Sequence, residues 1–312
     1  MTHCRLGMTR GRRHAEYFDR LSKALVSASI LFLLLLVGCK SAPVGRSVHP
    51  LELLDSQSSF YMAVPRSADN ELIERVISGY YKNASASDAK LIADHIDTVY
   101  CGLNHSKNNV EIQAAISGSI PQNFIPKVLS SKNGWNVRGY TPSGSAASYK
   151  IYSNSEDVAM TFPSDKIGCI GRALEGMLDK YDSLSKLPED ASNKLYSDLD
   201  NELIEYLNGA QNEIRFYANK PQSFLTILTG AQLDLKLIDV KGNFVTDPKH
   251  PKQYLLDLDF RFKNGTFMKA GKTLLTLAFG LTNSQEEIVG DSELIISDIR
   301  IDKKQLYKLL SL

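Results

Sequence analysis

The chain has 312 residues, with 36 lysines and arginines against 35 aspartates and glutamates and a net charge of +1. That balance leaves no basic footprint for nucleic acid. A 43% share of hydrophobic residues excludes wholesale disorder, and the length suits one large or two small domains with a real core.

The N-terminus carries the strongest signal. Arg5, Arg10, Arg12, Arg13, Arg20 and Lys23 stand against Glu16 and Asp19, and residues 24–37 then carry no charge. A basic stretch before a short apolar run is the layout of an export signal. The apolar run is too short for a membrane-spanning helix, which needs about 20 apolar residues. It ends in Leu36-Val37-Gly38-Cys39. This pattern resembles the lipobox of bacterial lipoproteins. In that class the thiol takes a diacylglyceryl group, a signal peptidase cuts before the cysteine, and the new amine is acylated. The resemblance therefore implies lipidation at Cys39 and anchorage to a membrane, since two or more chains anchor stably. Lys40 stands where the sorting rule of that class would place Asp for inner-membrane retention, so the outer membrane is favoured. An ordinary signal peptide with a chance cysteine, or an uncleaved anchor, remains open, and Met8 is an alternative start.

Cleavage before Cys39 removes six basic and two acidic residues and leaves 30 against 33, a net charge of −3 on 274 residues. Two further cysteines remain in the mature chain, Cys101 and Cys169. They read as two buried thiols or as a possible disulfide, because sequence alone does not place their Cα atoms.

In chain order, residues 39–57 read as the lipidated cysteine and a flexible tether, rich in Ser, Pro and Gly. Residues 60–64 alternate as a strand that Pro65 stops. Ser67 or Asp69 can cap the next helix, where Leu72, Ile73, Val76, Ile77 and Tyr80 form an apolar stripe. A second short helix covers about 87–95. Residues 99–103 and 110–116 make a hairpin turning at 104–109. A short helix follows at 122–131, then strands at 135–140 and 149–162 and a helix at 171–184. Residues 185–210 read as a polar helical connector.

The second half echoes the first. A strand at 213–219 precedes a helix at 221–229, and strands at 233–240 and 254–263 precede a helix at 267–279. A strand at 293–301 precedes a helix at 303–310. Both halves read strand–helix, hairpin–helix, strand–helix, with little residue identity. The fold class is α+β, with antiparallel sheets packed on one face by helices. The expected divisions are a signal peptide (1–38), a tether (39–57), a first module (58–184), a connector (185–210) and a second module (211–312).

Catalytic patterns fail one by one. In Gly265-Thr-Phe-Met-Lys-Ala-Gly271-Lys272-Thr273 five residues separate the glycines where a phosphate loop needs four, so no nucleotide is expected. Asp257 and Asp259 alternate with Leu256, Leu258 and Phe260, as in a half-buried strand. His49, His95, His105 and His250 have no zinc spacing, and no serine sits in a nucleophile elbow. No cofactor or metal is expected. Tyr80, Tyr81, Trp135, Tyr140, Tyr149 and Tyr152 near loops or strand ends suggest an aromatic groove, against the plainer reading of core and rim aromatics. The function expected is a non-catalytic envelope lipoprotein that binds a partner protein or an apolar ligand. The rivals are a membrane-inserting lipoprotein using amphipathic helices at 70–81 and 266–279, and an envelope hydrolase without a recognisable motif.

Overall fold

A computed structural model describes residues 46–80, 86–106, 109–153, 159–188, 195–230, 232–279 and 284–310. The export signal and Cys39 lie outside these residues, as do Tyr81 and residues 107–108 of the hairpin turn. After a 3₁₀ turn at Pro50–Leu53 come β1 (Phe60–Pro65), α1 (Asn70–Tyr80), α2 (Ala86–Ala93), β2 (Ile96–Ser106) and β3 (Asn109–Gly118). A four-residue α3 (Ile125–Val128) leads to β4 (Asn136–Tyr140), β5 (Tyr149–Ser153), β6 (Ala159–Thr161), β7 (Ile167–Gly171) and α4 (Glu175–Ser185). Next are α5 (Asn201–Asn208), β8 (Ile214–Ala218), α6 (Pro221–Thr229), β9 (Leu237–Thr246) and β10 (Gln253–Phe262). The chain ends in α7 (Gly265–Phe279), β11 (Gln285–Val289), β12 (Glu293–Asp302) and α8 (Lys303–Leu310).

Among the described residues the strands form one antiparallel sheet, in the order β11-β12-β10-β9-β8-β1-β2-β3-β7-β6-β5-β4. Its seam is the β1–β8 pair, with Phe60 opposite Ala218 and Met62 opposite Phe216. Outward from the seam, β1-β2-β3-β7 on one side matches β8-β9-β10-β12 on the other. The expected order of strands and helices recurs in both halves, with β4–β6 inserted in the first and β11 in the second. The residues from Arg46 to Leu312 form one compact unit.

Helices cover both faces of the sheet, not one. On the first face, α1, α6, α7 and α8 pack through Leu72, Phe224, Met268 and Leu306. On the second, the 3₁₀ turn, α4 and α5 pack through Leu51, Leu178 and Leu207. All six residues of β1 are therefore buried. Phe60, Met62 and Val64 face one core, Tyr61 and Ala63 the other. The segment expected as a connector belongs to this second layer, where Leu199, Ile204 and Leu207 are buried.

The tether also ends earlier than its composition suggests. Val48, Leu51, Leu53 and Leu54 are buried. Arg46 and Glu52 form an ion pair of 2.5 Å with both side chains fully enclosed. Glu52 also accepts from the Tyr196 N–H at 2.6 Å and the His49 N–H at 2.8 Å. Removing one partner of such a pair leaves an uncompensated charge, so residues 46–54 are fixed to the body.

A second buried charge fastens the first face. Asp69 caps α1 by accepting the Leu72 N–H at 3.0 Å. Its other oxygen accepts the Tyr254 hydroxyl and the Lys303 ammonium, each at 2.6 Å. This clasp joins the start of α1 to β10 and to the first residue of α8. Burial alone raises the Asp69 carboxyl, but the hydrogen bonds from Lys303, Tyr254 and Leu72 outweigh it and hold it below the ordinary value of 3.8. The stability it contributes is complete above 3.8 and is lost as pH falls through the lower folded value. Asp69→Asn is therefore expected to flatten the acid limb of a stability-versus-pH curve, measured by urea unfolding. An unchanged acid limb contradicts the clasp.

Candidate functional site

The first face is hollow over β1, β2, β3 and β7. A cavity of about 150 Å³ lies between this part of the sheet and the helices above it. Its walls are Leu72, Ile73, Val76 and Ile77 from α1, with Ile92 from α2 and Ile125 from α3. These α1 positions recur three and four apart, so they fall on one side of the helix and face the sheet. The floor holds Cys101 of β2, Ala114 of β3 and Ile170 of β7.

Side-chain volume along the rungs of the sheet explains the hollow. Met62, Cys101, Ala114 and Ile170 lie side by side across β1, β2, β3 and β7. In the second half the matching rung is Phe216, Gly242, Leu258 and Ile296. The next rung is Val64, Val99, Ile116 and Gly168 in the first half. In the second half it is Ile214, Phe244, Leu256 and Ile299. Phenylalanine fills the second half. The Phe216 ring lies 4.6 Å from that of Phe224 and 5.1 Å from that of Phe244. Gly242 is required beneath it, since a Cβ there would stand 2.9 Å from the Phe216 ring and 2.1 Å from the Asp257 carbonyl oxygen. Cysteine and alanine on the first-half floor leave the equivalent space empty, while the space over Gly168 is taken by the Phe162 ring and Ile120.

The lining is hydrocarbon except for the His95 ring, the Cys101 thiol and the Met160 thioether. The His95 ring sits 6.0 Å from that of Phe124. Burial pushes the Cys101 thiol up to about 12, so it behaves as a small hydrophobe rather than a nucleophile. A cavity of this kind stays dry and takes apolar guests. Among the described residues, no three His, Cys, Asp or Glu side chains are grouped to hold a metal ion.

Among the described residues, the candidate site residues of the sequence lie elsewhere, apart from Cys101 and His95. Cys101 and Cys169 are both buried and free. They belong to cores on opposite faces of the sheet, with β3 between their strands, so the possible disulfide is not made. Among the described residues, Trp135, Tyr140, Tyr149 and Tyr152 do not form one groove. Trp135 and Tyr152 belong to a small third core, while Tyr140 and Tyr149 sit on the second face, donating to Asp179 and Asp182. The segment resembling a phosphate loop is not a loop: α7 begins at Gly265, and Gly271 is a packing glycine whose Cβ would meet the Phe262 ring at 2.3 Å. Lys272 pairs with Glu286 at 2.7 Å. Asp259 pairs with Lys241 at 3.2 Å, and Asp257 accepts the Asp298 N–H at 3.0 Å. His49 caps the 3₁₀ turn, and His250 pairs with Asp247 at 2.9 Å.

The comparisons with known proteins bear on the whole body. Solved structures titled crystal forms I and III of TP0453 superpose with TM-scores of 0.64 and 0.62, each at 21% identity. Each covers 85% of this chain, with 97% and 98% of their own length matched. At that identity the likeness is one of fold. No curated protein matches the chain. The model of the family described as outer membrane-associated lipoprotein TP0453 matches residues 45–307. The chain belongs to that family, and it is a bacterial lipoprotein of the cell envelope, associated with the outer membrane.

Proposed function

We propose that the protein is a non-catalytic, lipid-anchored receptor for an apolar ligand, bound in the cavity over β2 and β3. The observation that carries this reading is the cavity itself, about 150 Å³ of space whose lining offers no polar group beyond His95 and the Cys101 thiol. Apolar pockets with few polar groups are the usual form of small-molecule sites. The ligand class is a hydrocarbon tail or a small unsubstituted ring, because a charged or strongly polar group would go unsolvated there. The thiol that faces the space is held neutral by its burial.

Energetics agree with a retained cavity. By the slope of roughly 24 cal/mol per Å³, a void of 150 Å³ costs about 3–4 kcal/mol of stability. The second half fills the corresponding space with rings. An occupant recovers that loss, which a packed core would not need.

A second reading has one specific observation behind it. On α7, Phe267 is 39% exposed, Leu274 41% and Leu277 74%. These residues fall along one side of the helix, and such an apolar stripe suits insertion into a lipid interface.

Anchorage is proposed at Cys39. In cells fed labelled palmitate, the native protein is expected to take up label and Cys39→Ser is not; label on the mutant contradicts the anchor. The cavity is tested with a fluorescent fatty acid. The native protein is expected to bind it, whereas Ala114→Leu, which fills the floor, weakens binding at least tenfold. The same substitution is expected to raise stability by about 1–2 kcal/mol, where an overpacked core loses about 1–3. Binding that survives Ala114→Leu unchanged places the ligand elsewhere.

A further inference from the structure

The space above Cys101 and Ala114 is benzene-sized, since engineered cavities of similar volume take benzene or xenon. A longer hydrocarbon tail needs a wall to move. The floor is sheet, bonded on both sides. The end of α1 nearest the sheet is pinned through Asp69. One wall residue comes from the end of the chain: Leu310, in α8, lines the cavity and is 6% exposed.

Helix α8 has eight residues, Lys303–Leu310. A helix so short has little stability of its own and depends on what it packs against. Three of its fastenings lie in its first five residues. Lys303 pairs with Asp69 at 2.6 Å and lies 4.9 Å from the Tyr254 ring centre. Leu306 is fully buried. Tyr307 fits against Gly79 of α1, where a Cβ would stand 3.0 Å from its hydroxyl. Leu310 is four residues beyond Leu306 and shares its apolar side, so it projects into the cavity from the far end of the helix.

We propose that α8 is a built-in stopper: Leu310 occupies volume that an apolar tail takes when bound, and the Lys303–Asp69 clasp holds the helix over the cavity until then. This proposal rests on the ligand reading above. It makes binding competitive with the protein's own Leu310, so that affinity reflects the ease of lifting one helical turn. Short ligands enter beside Leu310, and long ones displace it.

Cys101 and Cys169 allow a test that needs no ligand. Both are buried, with thiols pushed up to about 12, and they lie on opposite faces of the sheet. The full chain is placed in phosphatidylethanolamine–phosphatidylglycerol vesicles and labelled with N-ethylmaleimide, and each cysteine is read by peptide mass spectrometry. Leu310→Ala and Lys303→Met are each expected to speed labelling of Cys101 at least tenfold and to leave Cys169 unchanged. Unchanged Cys101 labelling in both variants, or an equal rise at Cys169, overturns the stopper. In parallel, Leu310→Ala is expected to tighten binding of a long fluorescent fatty acid about tenfold. Selective exposure of Cys101 without fatty-acid binding in any form refutes the ligand reading and, with it, the competition between Leu310 and a tail. Binding that is the same in native protein and in Leu310→Ala refutes the stopper and leaves the ligand reading standing.

Discussion

Packing on the first face of the sheet is governed by side-chain volume at a few rungs. Protein interiors are close-packed, and a missing ring is felt as lost contact on every surrounding atom. The two halves pose the same problem, with strands in matching order around the β1–β8 seam and helices laid over them. Phe216, Phe244 and Phe260 solve it in the second half. Cys101 and Ala114 leave it open in the first. The candidate site is therefore an absence of volume at defined positions, and it needs no special backbone or charge.

An open space of that kind survives only if the layer above it cannot collapse. The buried charges supply this restraint. Asp69 ties α1 to β10 and α8 through hydrogen bonds to Tyr254 and Lys303. On the opposite face, the Arg46–Glu52 pair locks the entering chain beside α4 and α5. Breaking a buried pair by removing one partner is strongly destabilising. Both pairs thus act at the places where the covering elements begin, and over the cavity it is the Asp69 clasp that holds the layer above the floor.

Much of the architecture is legible in the sequence because it depends on local periodicity. The α1 stripe, the β2–β3 hairpin, α6 and α8, and the recurrence between halves follow from spacings of two and of three to four. Three things escape. β7 reads Ile167-Gly-Cys-Ile-Gly171, with both faces covered and no polar alternation to mark it. β11 is exposed throughout and gives no apolar signal. The strand expected over 149–162 is divided into β5 and β6. The second helical layer and the early end of the tether are long-range effects: Glu52 is buried by Tyr196, far along the chain. The cavity is the least legible feature. Cys101, Ala114 and Ile170 are each unremarkable in sequence, and they matter only because strand register sets them side by side.

The central claim is that apolar material occupies the space between α1 and the β2–β3 floor. The most direct measurement is an experimental structure of the protein purified from cell envelopes without added lipid. The account predicts elongated hydrocarbon density over Cys101 and Ala114, with Leu310 shifted away from its place in the wall. A closed, empty cavity, with apolar density instead along Phe267, Leu274 and Leu277 of α7, would contradict it.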